Sequence, residues 1–266
     1  MSKLWKENNT MPDELFHYTK AQTALEHILV DKTRKISQLQ FTNDPKESKE
    51  LHFMSFTGLT LSPSEGSSFK MIHKKLRAVA RRIKLKEWKV LCFSQNHADF
   101  GSGKALADFN PFLSGKYYPA MWAHYASTPS RPHDGVCLRF NYHKLQNRIS
   151  ETFKDKGKYF VEEGAVEYNN LKFFSYLPFN LERILELNEL EIEDRVREYF
   201  FTNYKEIFLL KSKDWANQLE YRWLVHSRND SPEYISIDGV LEEVLVGEEF
   251  PSVYDPSLAA LCAALS

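Results

Sequence analysis

Short runs with apolar residues at alternate positions are interleaved, from one end of the chain to the other, with stretches whose apolar residues recur at helical spacing. The runs at 13–18, 88–94, 135–140, 163–168, 219–225, 234–237 and 244–247 read as strands, and 36–42 alternates up to the turn Asn43-Asp44-Pro45. Thr19 is placed to cap a helix that carries Ala24, Leu25, Ile28 and Leu29 on one face. Pro45 suits the first turn of a helix reaching about residue 56, and 61–68 reads as a loop. A basic helix over 69–89 keeps an apolar stripe of Ile72, Leu76, Val79, Ala80 and Ile83, so one face packs on something. The loop at 95–116 is long enough for a lid, 118–126 is a short aromatic helix, and a last helix covers 258–265. One or two amphipathic helices fill 180–214. No repeat and no compositional break divides the chain. The expectation is an α+β fold: one domain over 1–266, a mixed central sheet, and a helical insertion near 180–214.

Composition narrows the partners. With 266 residues, 42% hydrophobic and a net charge of -1, the chain is an ordinary globular sequence with no global attraction for nucleic acid or anionic membrane. Cys92, Cys137 and Cys262 are an odd count without paired spacing, which argues against a disulfide framework or a zinc site. No window approaches the ~18 apolar residues of a membrane span. The start lacks a signal peptide's apolar core. A cytoplasmic, reduced protein without a membrane partner is expected.

Three distant motifs mix polar and aromatic side chains: Phe16-His17-Tyr18-Thr19, Met121-Trp122-Ala123-His124-Tyr125 and Gln218-Leu219-Glu220-Tyr221-Arg222. Such groups at three separate positions suggest one pocket. His17 can hydrogen-bond a ligand hydroxyl, or be satisfied by backbone. Trp122, His124 and Tyr125 can stack a planar ring and bond its edge, although Trp122 suits the core. Glu220 shares a strand face with Gln218 and Arg222; its carboxylate can stabilise a developing positive charge or sit in a salt bridge with Arg222. The basic residues of 70–89 offer a nucleic-acid contact, or a solvated helix face. No phosphate-binding glycine loop, nucleophile elbow or paired Cys/His spacing occurs.

The order of these motifs, with Phe41-Thr42-Asn43-Asp44-Pro45-Lys46-Glu47, Cys92-Phe93-Ser94, Gly135-Val136-Cys137-Leu138-Arg139-Phe140 and Lys213-Asp214-Trp215, resembles the bacterial domain-of-unknown-function family 2971 (DUF2971). That pattern in turn is remotely similar to the ADP-ribosyltransferases. The second resemblance implies NAD as co-substrate, with His17 and Thr19 on the nicotinamide ribose and Tyr18 at the same corner. It also implies Ser94 leading to a Tyr125 that stacks on nicotinamide, and Glu220 as the catalytic carboxylate. Gln218 stands where an acidic residue is usual, which weakens arginine as the acceptor. Trp122, His124 and Arg222 complete the expected cofactor-binding set.

The expected activity is mono-ADP-ribosyl transfer from NAD by a bacterial toxin or phage-defence effector, with a protein or nucleic-acid acceptor and no bound metal. Two alternatives stand beside it. One is a metal-dependent nuclease or hydrolase built on His17, Asp44, Glu47, His124 and Glu220; the other is a non-catalytic nucleotide sensor. The transferase reading requires His17, Tyr125 and Glu220 to line one cleft. A Glu220 spent on a salt bridge away from His17 would sink it.

Overall fold

The computed structural model describes residues 11–42, 63–97, 114–169 and 187–265. Strand β1 (Glu14–Thr19) leads into a helical segment that begins as α1 (Ala21–Thr23) and widens to π geometry over Ala24–Leu29. β2 (Thr33–Gln38) follows. α2 (Pro63–Arg82) continues through a wide last turn, Ile83–Glu87, directly into β3 (Trp88–Gln95). α3 (Pro119–Tyr125) precedes β4 (Val136–Asn141) and α4 (Tyr142–Thr152), where the Asn141 side chain caps the helix by accepting from the Lys144 amide. After β5 (Phe160–Ala165) and β6 (Glu167–Tyr168), α5 (Glu189–Thr202) opens on a reciprocal capping box between Asn188 and Glu191. α6 (Tyr204–Phe208), β7 (Leu210–Lys211) and a 3-10 stretch, Lys213–Gln218, lead to β8 (Glu220–His226). β9 (Glu233–Ser236), β10 (Leu241–Val246) and α7 (Asp255–Ala263) complete the order.

The α+β expectation holds, and the helices α5 and α6 occupy the described part of the expected insertion. The sheet is simpler than a mixed one. Its eight strands pair antiparallel throughout, and the one parallel pairing is a separate two-residue ladder between β6 and β7. Thr19 does not cap a helix: β1 runs through it, pairing it with Val136, and Lys20 occupies the N-cap position without a side-chain bond. Residues 63–68 are the start of α2 rather than a loop, because Pro63 is as well suited to a first helical turn as to a break. The expected helix after Pro45 and most of the 95–116 loop lie outside the described residues.

Strand pairing creates a notch. β8 pairs with β3 along its whole length, from Trp88↔His226 to Ser94↔Glu220. Only one edge of β3 is then left, and two strands share it. β1 takes the far end (Leu15↔Gln95, Phe16↔Ser94) and β2 the near end (Ser37↔Val90, Gln38↔Lys89). From His17 onward β1 stays with β4, and β2 above Ser37 stays with β9, so both peel away and leave the edge around residues 91–93 open.

Side-chain alternation sorts the core to match. Leu15, Leu91, Phe93, Leu138, Tyr221, Trp223 and Val225 point to one face, packed under the Ala24–Leu29 turn and α4. The other face carries two separate apolar clusters. Phe16, Tyr18 and Cys137 lie under α3, whereas Trp88, Val90 and Leu224 lie under α2, α5 and α6. The apolar stripe expected on the basic helix is what docks there. Between the two clusters this face is polar, and there the notch opens.

Candidate functional site

One row of cross-strand partners ties the first and third motifs together: Phe16 faces Ser94, and Ser94 faces Glu220. Two strand spacings of ~4.8 Å put these motifs on one face about 10 Å apart. A cavity of ≈ 220 Å³ opens at this place, with His17, Ser94, Tyr125, Gln218, Glu220 and Arg222 among its walls. Aromatic walls come from Phe41, Tyr125 and Trp215.

His17 stands in the notch. Its Nδ1 lies 3.2 Å from the carbonyl oxygen of Cys92, on the stretch of β3 whose second edge, opposite β8, no strand pairs. Arg34 from β2 brings its guanidinium against the same ring, bonding Nε2. An arginine only donates, so Nε2 is the acceptor and Nδ1–H donates to Cys92: the ring is neutral. Burial, and then the Arg34 charge, hold the His17 pKa well below its ordinary value. Burial also brings Arg34 down to about 10.

Glu220 is 6% exposed and its carboxylate is closely held. Arg222 donates from Nε to Oε1 at 2.8 Å and from Nη2 to Oε2 at 3.0 Å, while Lys211 Nζ donates to Oε2 at 2.8 Å. The Cys92 thiol also donates to it. Burial alone would raise the Glu220 pKa, but Arg222 and Lys211 outweigh it and hold the group at about 2. Arg222 Nη1 is spent on the Phe208 carbonyl at 2.8 Å. Lys211 also donates to Gln218 Oε1 (3.2 Å), and Gln218 Nε2 donates to the Tyr125 hydroxyl at 3.0 Å. The second and third motifs are therefore bonded directly, and a lysine that belongs to neither carries the chain of bonds on from Gln218 to Glu220. Gln218 reaches it from the 3-10 stretch, not from β8. Leu219, left-handed at φ 42°, turns the chain between Gln218 and Glu220.

Of the residues singled out from sequence, the cavity brings together His17, Tyr18, Ser94, Tyr125, Gln218, Glu220 and Arg222. The Tyr18 hydroxyl is occupied elsewhere, donating to the Gly115 carbonyl. Thr19, Trp122 and His124 are not among its walls. Thr19 is buried in the sheet; Trp122 packs edge-on against Tyr18 and donates to the Lys116 carbonyl; His124 is exposed on α3. Sequence reasoning missed Arg34, Lys211 and the thiol of Cys92. Arg34 belongs to none of the motifs, and only the pairing of β2 reveals where it lies. Among the described residues no three His, Cys, Asp or Glu side chains gather as a metal site; Asp44 and Glu47 lie outside them.

The molecule is thus an α+β protein with a basic, aromatic-walled cleft at a notch in an antiparallel sheet. Residues 121–223 match the model of a family described as Protein of unknown function (DUF2971), as the motif resemblance implied. That span covers less than half the chain; it takes in Tyr125, Lys211, Gln218, Glu220 and Arg222, and leaves His17, Arg34 and Ser94 outside. No curated protein and no solved structure matches the chain. No helix among the described residues is long and apolar enough to cross a membrane.

Proposed function

We propose that the cleft binds NAD and that the chain is a mono-ADP-ribosyltransferase. The convergence of His17, Tyr125 and Glu220, from motifs about a hundred residues apart, on one cavity carries this reading. At ≈ 220 Å³ the cavity is smaller than the roughly 300–1,000 Å³ that encloses a drug-sized ligand, which suits one ring and its ribose rather than a whole dinucleotide.

NAD supplies the bond to be broken, between ribose C1′ and the nicotinamide nitrogen. Nicotinamide leaves with that electron pair, and an acceptor nucleophile bonds to C1′ and gives up its proton. The Tyr125 ring would flank the nicotinamide. His17, neutral and fixed by Cys92 and Arg34, would orient the sugar. Glu220 would accept the ribose 2′-hydroxyl and oppose the positive charge developing on the sugar. To do so it has to exchange the Lys211 ammonium or the Cys92 thiol for that hydroxyl. The exposed lysines of α2, Lys70, Lys74 and Lys75, are where a nucleic-acid acceptor would meet the protein. A cytoplasmic toxin or phage-defence role is carried by the family resemblance.

The full occupation of Glu220 favours a second reading: a nucleotide-binding module without turnover. Calorimetry with NAD, together with nicotinamide release and label transfer in lysate, separates the two. Turnover by the wild type that vanishes in Glu220→Gln, while NAD still binds, supports the transferase. Binding without turnover in both proteins leaves the module. No binding and no turnover removes both.

A further inference from the structure

We propose that Arg34 and Ser94 form an anion subsite in this cleft that takes a phosphoryl group of a small phosphorylated ligand. The inference rests on the reading of the cavity as a ligand site, not on ADP-ribosyl transfer.

Charge is the first ground. Arg34, Lys35, Lys211 and Arg222 line the cavity, against one carboxylate, Glu220. Both oxygens of that carboxylate are already engaged by Arg222 and Lys211. Arg34 bonds a neutral imidazole, and no carboxylate among the described residues pairs with it. An arginine this far withdrawn from water is ordinarily paired, and among the described residues this one has no counter-charge. Unfilled hydrogen-bonding capacity is the second, independent ground. Arg34 Nε and Ser94 Oγ are both buried atoms, both residues belong to walls of the cavity, and neither atom has a partner among the described residues. Ser94 is only 1% exposed, so bulk water does not satisfy its hydroxyl. Buried polar groups almost always find partners, and two orphans at one cavity indicate a group that enters it.

The chemistry of the donors selects the class. A guanidinium is a planar fork suited to an anion with several oxygens, and a serine hydroxyl adds a donor of the kind that phosphate oxygens accept. The aromatic walls Phe41, Tyr125 and Trp215 supply surface for a ring attached to that phosphoryl group. Arg34 and Ser94 reach the site from different strands, β2 and β3, so the subsite exists only because both border the notch.

The test is calorimetric titration of the full chain, wild type and variants, with ADP-ribose, pyrophosphate, nicotinamide and acetate. Wild type is expected to bind ADP-ribose and pyrophosphate, and acetate far more weakly. Arg34→Gln should lose roughly 10- to 100-fold in ADP-ribose affinity, the scale of a charge-assisted hydrogen bond, with nicotinamide binding unchanged. Arg34→Lys, which keeps the charge but not the fork, should lose part of it and serves if Arg34→Gln does not fold. Ser94→Ala should lose less. Unaltered ADP-ribose affinity in the Arg34 variants, or no binding of either phosphate probe by wild type, overturns the subsite. Nicotinamide release separates this from the transferase reading. NAD turnover that survives Arg34→Gln unchanged sinks the subsite alone. Phosphate binding that depends on Arg34, without nicotinamide release by wild type, sinks the transferase alone.

Discussion

Replacing Glu220 by Gln removes the carboxylate that Arg222 and Lys211 share, and its cost can be worked out before any ligand is considered. Arg222 is 1% exposed and Lys211 8%, so neither side chain can turn to water without disrupting its surroundings. Glu220 is held at about 2 against an ordinary 4.5, which corresponds to about 3 kcal/mol of stability at neutral pH. Breaking a buried pair by removing one partner costs about 3–5 kcal/mol, so two independent routes agree. A loss of ~3 kcal/mol should lower the melting temperature by roughly 6–12 °C in a chain of this size. Urea unfolding at pH 7 measures it directly. The sign of the pH dependence follows from the depressed value. The contribution is complete above about 4.5 and is lost as the pH falls toward 2, so wild type and variant should converge on acidification. Adding Lys211→Met removes one of the two cations that faced the lost carboxylate and should restore about 1–2 kcal/mol, a coupling of the size expected for residues in direct contact. A Glu220→Gln protein within about 0.5 kcal/mol of wild type, or a difference that does not change between pH 5 and 3, would refute the argument.

At the other end of β3, Glu87 accepts from Arg197 and Arg82 and meets His226; burial would raise its pKa, but His226 and Arg197 bring it to about 2. Glu87→Gln should therefore cost about 3 kcal/mol in urea unfolding at pH 7, lose that effect in acid, and leave ligand affinity in the cleft unchanged. A Cβ on Gly135 would stand 2.4 Å from the Thr19 carbonyl oxygen and 2.7 Å from Ala126 Cα, both backbone atoms. Gly135→Ala should lose about 1–3 kcal/mol, and a melting temperature equal to wild type would contradict that contact. Trp215 lines the cavity, with Lys211 Nζ 5.3 Å from its ring centre. Ligand binding should change tryptophan emission, and Trp215→Phe should abolish most of that change while binding by calorimetry persists.

Strands rich in apolar side chains were readable: 135–140 and 219–225 lie within a residue or so of β4 and β8, although β8 is buried at every position and not on one face alone. The convergence of the three motifs was readable too, since His17, Tyr125 and Glu220 do share a cavity. The reason assigned to Gln218 was not the operative one. It reaches the site through the left-handed turn at Leu219, a conformation that a leucine does not advertise. Thr19 looks equally apt as a cap and as a strand residue, and pairing with β4 decides for the strand. The helix α4 passed unmarked, and Arg34 had no local signature at all. Its role depends on which strands lie beside β3, a fact set by long-range pairing rather than by any window of sequence.

The shared edge of β3 has a mechanical consequence. Two wings of the sheet, β10-β4-β1 and β2-β9, are hydrogen-bonded to β3 by two residue pairs each and to each other through no strand pairing. β3 is thus the keystone between them, and the contacts of His17 with Arg34 and Cys92 are a clasp across the gap. A ligand seated in the notch would span the same gap as the clasp. Its binding should therefore slow amide exchange not only around the cavity but along β1 and β2 as well, each of which is paired to β3 through two residue pairs.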